Sequence, residues 1–538
     1  MAVAVEAGAR NVPAPHARTV HFRGRDVLVV LPKLRDPRIH LAVTTFAIIT
    51  IGMVWLDFRL SIPQVAAALL TCGVIDVVRT YRAQAVLAWP ASALQTATST
   101  ALILRVTGMQ AHDWWAFDGW YYFAGVATAG LLTKYYVRYQ GRHIFNPSNV
   151  ALVGAFLLFG ADRVEPLDFW WGPFGWAMLA AYVVILTGGI TLCSRLQLLG
   201  MAVAFYATFV VGVGVLALLG QSITTQWSLT PIGGLHYWWI LVTSPETLIF
   251  LFFMITDPRT TPGGGRRRIA FGAAVGAAST LLLAPWETEF GTKVGLLSGL
   301  LVVTAARPYV ERRLASRNAS ERSLTSTHDQ VARRDRRHPT PLFKATGALV
   351  AAAAFVGLVA IAGAPNRSAA SSDPPAPASD FDIDRASLPA VSIDDDVAGL
   401  SAELATPAGA QDLAASLAFN LQVEAEALAT RDASLLTAVD HGERLEDMRA
   451  TIERAAGTDI VVPSYEFDTL HLSIVYPGGL QSGANAGLAA TGTVTLTSYS
   501  PDGVRLDTTE RPFATTFSLR NIASDRWLTT DTPSSETD

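Results

Sequence analysis

The chain has 538 residues, of which 50% are apolar and only 16% charged, with a formal net charge of −4 at pH 7. A soluble chain carries roughly a quarter charged residues, so a wholly soluble globular protein is excluded. The near-neutral balance averages an apolar part and a polar, acidic part, and the two cysteines, Cys72 and Cys193, fall short of the roughly four thiolates that an iron–sulfur cluster needs.

Taken in chain order, residues 1–40 read as a cytoplasmic segment, because Met1 to Arg38 holds many charges and no apolar core of signal-peptide length. From 41 to 311 one apolar run follows another. A backbone in lipid must satisfy its own hydrogen bonds, which takes a helix of about 20 residues per crossing. Spans are expected near 41–57, 61–78, 86–105, 116–134, 148–161, 172–192, 197–220, 237–256, 268–285 and 291–306, with an eleventh near 343–363.

Charge supplies an independent reading of topology. Basic residues concentrate in the amino tail and in alternate loops. These hold Arg79 and Arg82, then Lys134, Arg138 and Arg142, then Arg195, then Arg259 with Arg266 to Arg268, and last the basic loop 312–342. The other loops hold acids such as Asp113, Asp118, Glu165, Asp168, Glu287 and Glu289. By the positive-inside rule the amino end is cytoplasmic and the carboxyl end extracytoplasmic, in a bacterial inner membrane. The basic loop lies beside spans, so anionic lipid is its expected partner and nucleic acid is not. Trp114, Trp115, Trp120, Trp170, Trp171, Trp238, Trp239 and Trp286 fall at the expected outer boundaries, as interfacial anchors do.

Two segments on the cytoplasmic side stand out. Gly141 to Asn149 contains Phe145-Asn146-Pro147 and leads into a span; Phe252 to Pro262 contains Thr256-Asp257-Pro258 and closes one. Pro stops or starts a helix, and Asn or Asp caps its exposed backbone groups. In this order and spacing, and with Leu34 to Arg38 before the first span, they resemble the NqrB/RnfD family of flavin-carrying membrane subunits. The resemblance covers roughly residues 31–310. It implies a ten-helix inverted-repeat core and candidate cofactor-binding residues Asn146, Pro147, Asp257, Pro258, Thr260 and Thr261. Members with covalent FMN attach it to a threonine in an SGAT-like outer loop. Neither Gly160 to Gly172 nor Gln221 to His236 has that motif. The cofactor implied is therefore non-covalent FMN or riboflavin, or a quinone, and the chain is similar to the UnbU-type branch that accompanies enediyne clusters.

An ionisable group inside a span is costly unless it faces protein or water. Glu246 follows Pro245 inside the eighth run, which makes it a candidate ion or proton site. Asp76 is expected to pair with Arg79, and Lys293 to snorkel towards the interface. No metal site and no catalytic residue is expected.

Beyond the eleventh span, 364–396 reads as a flexible acidic and Pro-rich linker. Residues 397–531 read as an extracytoplasmic α+β domain, with helical spacing from about Gln411 to Ala456 and strand alternation after Gly457. Helices followed by an antiparallel sheet ending in Arg526-Trp527 resemble the NTF2-like fold, and imply a binding or assembly module, with His441 and His471 as surface or packing residues. The fold class expected is thus a mainly α polytopic membrane protein with a C-terminal α+β domain. Its expected function is membrane electron transfer with other membrane or redox subunits, as at most one redox subunit of a multi-protein oxidoreductase. The alternatives are a transporter or ion pathway on the same core, and an assembly scaffold presenting the outer domain.

Overall fold

A computed structural model describes residues 16–22, 25–31, 36–84, 86–172, 174–328, 341–365, 381, 383–477, 483–523 and 526–530. The chain divides into two compact units. One comprises Met1–Leu216, Trp238–Pro285 and Phe290–Gly363; the other comprises Ala217–Tyr237, Trp286–Glu289 and Ala364–Asp538.

The first unit opens with strands β1 (His16–Phe22) and β2 (Arg25–Leu31), an antiparallel pair to which β3 (Val86–Ala88) adds in parallel. Its helices are α1 (Pro37–Trp55), α2 (Ile62–Gln84), α3 (Ala91–Ile103), α4 (Trp120–Tyr136), α5 (Pro147–Phe159), α6 (Trp176–Arg195) and α7 (Leu199–Leu218). After them come α8 (Gly234–Thr243), α9 (Pro245–Ile249), α10 (Gly265–Leu283), α11 (Glu289–His328) and α12 (Pro341–Ala362). A π-helical turn, Phe250–Met254, extends α9. The short pairs are β4 (Leu104–Val106) with β7 (Val164–Pro166), and β5 (Arg138–Tyr139) with β6 (Arg142–His143).

Six of these helices are long and apolar enough to cross a membrane: Pro37–Trp55, Ile62–Gln84, Trp176–Arg195, Leu199–Leu218, Gly234–Met254 and Glu289–Arg313. Length and composition therefore support a polytopic membrane protein, with six candidate spans among the described residues against the ten expected of the core. Local chemistry explains the difference. The run at 86–105 is cut by Pro90, leaving a 13-residue α3. Helix α5, also of 13 residues, starts at Pro147 and stops at Gly160, whose φ of 67° suits a residue without Cβ. Helix α10 begins with three arginines.

Small residues bring these helices close. A Cβ on Gly130 of α4 would sit 2.6 Å from the Pro147 carbonyl oxygen of α5, and one on Gly189 of α6 would meet the Phe252 ring at 2.3 Å. Backbones approach this closely only where a side chain is missing.

The second unit holds the C-terminal domain. Strands β10 (Val391–Ile393), β11 (Ile460–Val475), β12 (Asn485–Tyr499), β13 (Arg505–Ala523) and β14 (Arg526–Thr529) form one sheet in that order, antiparallel except for the β10–β11 edge. Strand β10 falls within the stretch read as linker. The long helix Pro407–Thr430 is capped by Thr406, whose Oγ1 accepts from Gly409 N at 3.1 Å, and it packs Leu413, Leu417 and Leu421 against Leu470, Leu488 and Phe517. To this core the unit adds a hairpin from far earlier in the chain, β8 (Ser222–Thr225) with β9 (Ser228–Gly233). Leu229 of that hairpin is buried in the domain core, and Ala484 N donates to Thr225 O at 3.1 Å.

Candidate functional site

Asn146 caps α5. Its Oδ1 accepts from Asn149 N at 3.2 Å and from Ser148 Oγ at 2.9 Å, and Pro147 takes the first helical position, where no backbone donor is needed. The other end of the Asn146 amide reaches across the fold: Nδ2 donates to Met254 O at 2.9 Å, at the end of the π-helical turn. Two turns of irregular chain, more than a hundred residues apart, are thereby tied together.

Asp257 organises the second of them. Its Oδ1 accepts from Arg259 N at 2.9 Å, and its carbonyl oxygen accepts from the backbone N–H groups of Thr260 and Thr261, each at 3.2 Å. Its Oδ2 lies 3.0 Å from His143 Nε2. Thr260 Oγ1 donates to Asp257 O and Thr261 Oγ1 to Pro258 O, at 3.1 and 3.3 Å. Both threonines are buried in the turn, and their hydroxyls serve the backbone.

A cavity of about 760 Å³ opens beside these turns. Asn146, Pro147, Asp257 and Pro258 all line it, so four of the six residues expected to hold a cofactor converge there; Thr260 and Thr261 are not among its lining. Leu41, Trp89, Leu192 and Phe253 supply apolar surface. Polar lining comes from α3, where Ser92, Gln95, Thr96 and Ser99 stand at i, i+3, i+4 and i+7 and so share one helix face. That spacing is visible in the sequence inside an otherwise apolar run, and is the signal that could have found this wall. Lys134 and His143 complete it, with Lys134 Nζ donating to Ser92 Oγ at 2.7 Å.

Glu246 lies elsewhere in the first unit. Ser244 Oγ accepts from Thr247 N at 3.1 Å and restarts the helix at Pro245. Proline at this point frees carbonyls of the preceding turn, and tyrosines take two of them: Tyr206 OH donates to Val242 O at 3.1 Å and Tyr182 OH to Thr243 O at 2.9 Å. Glu246 is fully buried and within electrostatic reach of Arg105. Arg105 is within electrostatic reach of a partly buried set in which Arg59 meets Glu165 at 3.0 Å and Asp168 at 3.6 Å, and Lys293 meets Asp168 at 3.0 Å. Lys293 is 2% exposed and also donates to Pro166 O, so it does not snorkel; the local acid holds it. Asp76 likewise accepts from Tyr135 OH, while Arg79 stacks over the Tyr135 ring at 3.9 Å in place of the expected ion pair.

The second unit has a buried charged group of its own. Arg444 Nε donates to Glu424 Oε1 at 3.1 Å and its Nη2 to Oε2, a two-pronged pair. Burial disfavours the Arg444 charge, but Glu424 and Asp440 together hold the guanidinium above its ordinary range. Asp440, 2% exposed, is pushed up to about 10 by burial first and then by the Glu424 charge beside it. Burial beside a second carboxylate thus favours its protonated form. On the domain surface His471 Nδ1 lies 2.8 Å from Ser392 Oγ and Nε2 lies 3.3 Å from Asp394 Oδ2. The Ser392 hydroxyl also donates to Leu470 O at 3.2 Å, and the histidine and the acid are both more than two-fifths exposed. Solvent and a backbone acceptor leave that trio without the desolvated, directed base a nucleophilic serine requires. Among the described residues no group of three or more His, Cys, Asp or Glu is placed to hold a metal ion.

No protein-family model matches the chain, and a search of curated proteins finds no significant match.

Proposed function

We propose that the first unit is a membrane subunit of flavin- or quinone-linked electron transfer, of the NqrB/RnfD type, that holds its redox group non-covalently in the cavity between Asn146 and Asp257. The observation that carries this reading is the Asn146 Nδ2 to Met254 O bond, which joins the two motif segments at the rim of one cavity. About 760 Å³ lies within the range of roughly 300–1,000 Å³ usual for small-molecule sites. A flat ring system fits the donor set: Trp89, Phe253 and the leucines can cover its faces, while Gln95, Thr96 and Ser99 offer hydrogen bonds to its polar edge. Such a group, when bound, supplies reversible electron uptake. The residues of this chain bind it, orient it and exclude water from it. A ten-helix inverted repeat in the inner membrane, with its amino end in the cytoplasm, belongs to this proposal. So does an extracytoplasmic domain of NTF2-like type acting as a binding or assembly module.

The test is the absorbance of detergent-purified protein across the flavin bands, before and after acid precipitation, with solvent extraction for quinone. Flavin in the acid supernatant, or quinone in the extract, at near one per chain is expected. Protein free of both sinks the electron-transfer reading. A second reading, an ion or proton pathway, is favoured by one specific observation: the buried Glu246, just after the helix break at Ser244-Pro245, acts on the buried Arg105, which neighbours the Arg59, Glu165 and Asp168 charges. There, Glu246→Gln is expected to abolish ion flux in proteoliposomes while leaving insertion intact.

A further inference from the structure

Next to the cavity lies a second cleft of about 550 Å³ with a different chemistry. Arg79, Lys134, Arg138, Arg142 and Arg259 line it, together with His143. It shares Lys134, His143, Pro258 and Arg259 with the larger cavity, so the two are neighbours in one unit. The local folding explains why the cations converge. The tight hairpin of β5 and β6 turns at Gln140 and Gly141, both with positive φ, and pairs Arg138 with His143 and Tyr139 with Arg142, so that both of its arginines reach the cleft. The Asp257 turn delivers Arg259, and Arg79 is steered by the Tyr135 ring.

Two acids offset this charge in part, since Asp76 and Asp257 both act on Lys134, and five cations and His143 still face only these two. Of the acids close by, Asp76 accepts from Tyr135 and Asp257 is engaged with His143 and the Arg259 backbone. Among the described residues none of the five cations makes a salt bridge. Cations spread along a surface would satisfy the positive-inside rule equally well. Gathering five around one concavity sets like charges against one another at a repulsive cost, and a concave wall of one sign focuses the field on an anion. Arginine forks suit the tetrahedral oxygens of phosphate in particular.

We infer that this cleft binds a phosphate group, carried either by a soluble phosphate ester that extends into the larger cavity or by a lipid headgroup. The inference does not depend on the redox reading: it concerns the anion alone.

The experiment uses the full chain in nanodiscs of phosphatidylcholine, with thermal unfolding followed by tryptophan fluorescence. Inorganic phosphate is titrated at constant ionic strength, and the series is repeated in discs containing phosphatidylglycerol. For a soluble ester, phosphate raises Tm saturably in phosphatidylcholine discs, by a few degrees. For a lipid headgroup, free phosphate is inert and phosphatidylglycerol raises Tm by itself. In either case R142A/R259A removes the rise; both side chains are exposed, and monodisperse elution of the variant confirms that it folds. As a charge-matched control, R266A/R267A, whose residues do not line the cleft, keeps the rise. No rise with either probe overturns the inference. So does a rise that survives R142A/R259A, or one that R266A/R267A removes equally, which would mark diffuse charge in place of a site.

Discussion

The two units treat apolar surface in opposite ways. In the first, Leu70 on α2 and Leu158 on α5 point outward with 68% and 75% of their surface exposed, and many neighbours do the same. In the second, Leu472, Leu488 and Phe517 are completely buried, and the alternation along β11 and β12 puts polar residues on the open side. Water punishes the first pattern and lipid tolerates it, because hydrocarbon offers no hydrophobic gain for hiding leucine. What the first unit must hide is its polar backbone and its charges. Accordingly its interior is where Glu246, Lys293, Asn146 and the tyrosine-capped carbonyls are found.

The comparison extends to how buried charge is satisfied, and there it can be broken. In the second unit one compact pair carries the burden. Replacing Arg444 by Met leaves Glu424 buried without its partner, and should destabilise the domain by about 3–5 kcal/mol. Pulse proteolysis of the full chain, with fragments mapped to the two units, reads that loss; unchanged resistance would show that Glu424 has another counter-ion.

Asp440 gives the second unit a pH signature of its own. Its carboxyl stands at about 10 when folded against an ordinary 3.8. Below the lower value both states hold the proton. Between the two values the unfolded chain releases it while the folded domain keeps it, so this group's contribution to stability declines as pH rises through that window. Asp440→Asn is expected to flatten the slope and to raise the domain Tm by about 5 °C at pH 8. A slope that persists in the variant would move its origin elsewhere.

In the first unit the interactions are smaller and more distributed. Asn146→Ala removes both the α5 cap and the bridge to Met254, at about 1–3 kcal/mol. Unfolding of the purified protein in a graded detergent series measures this, and any bound flavin or quinone should be retained less well. Smallest is the loss of the two tyrosine hydroxyls in Tyr182→Phe with Tyr206→Phe. Hydrogen bonds inside membranes average about 0.6 kcal/mol each, so a double-variant cost well above about 2 kcal/mol would mean the helix break depends on them.

Much of this was legible in the residues. Each apolar run contains a helix, although the run at 86–105 also holds β3 and the start of β4, since length and hydropathy are local properties that lipid tests one segment at a time. Asn146 and Pro147 read correctly as a helix start, because capping needs only neighbours in sequence. The polar face Ser92, Gln95, Thr96 and Ser99 was present at helical spacing, but an isolated helix does not say what its face lines. That six described helices reach spanning length and hydropathy, against ten expected, reflects Pro90, Gly160 and the α10 arginines, whose effects on helix length depend on where the chain turns. The hairpin around Leu229 was not legible as part of the C-terminal core, because its partners lie some two hundred residues away.

Taken alone, then, the sequence determined the apolar, span-like character of the first part, the helix start at Asn146-Pro147, and the helix-then-strand order of the last domain. Each of these follows from backbone hydrogen bonding and side-chain hydration within a short window. The meeting of Asn146 with Met254, the gathering of five cations around one cleft and the pairing of Glu424 with Arg444 were decided by tertiary structure. They depend on which distant segments pack together, and packing is a property of the whole chain.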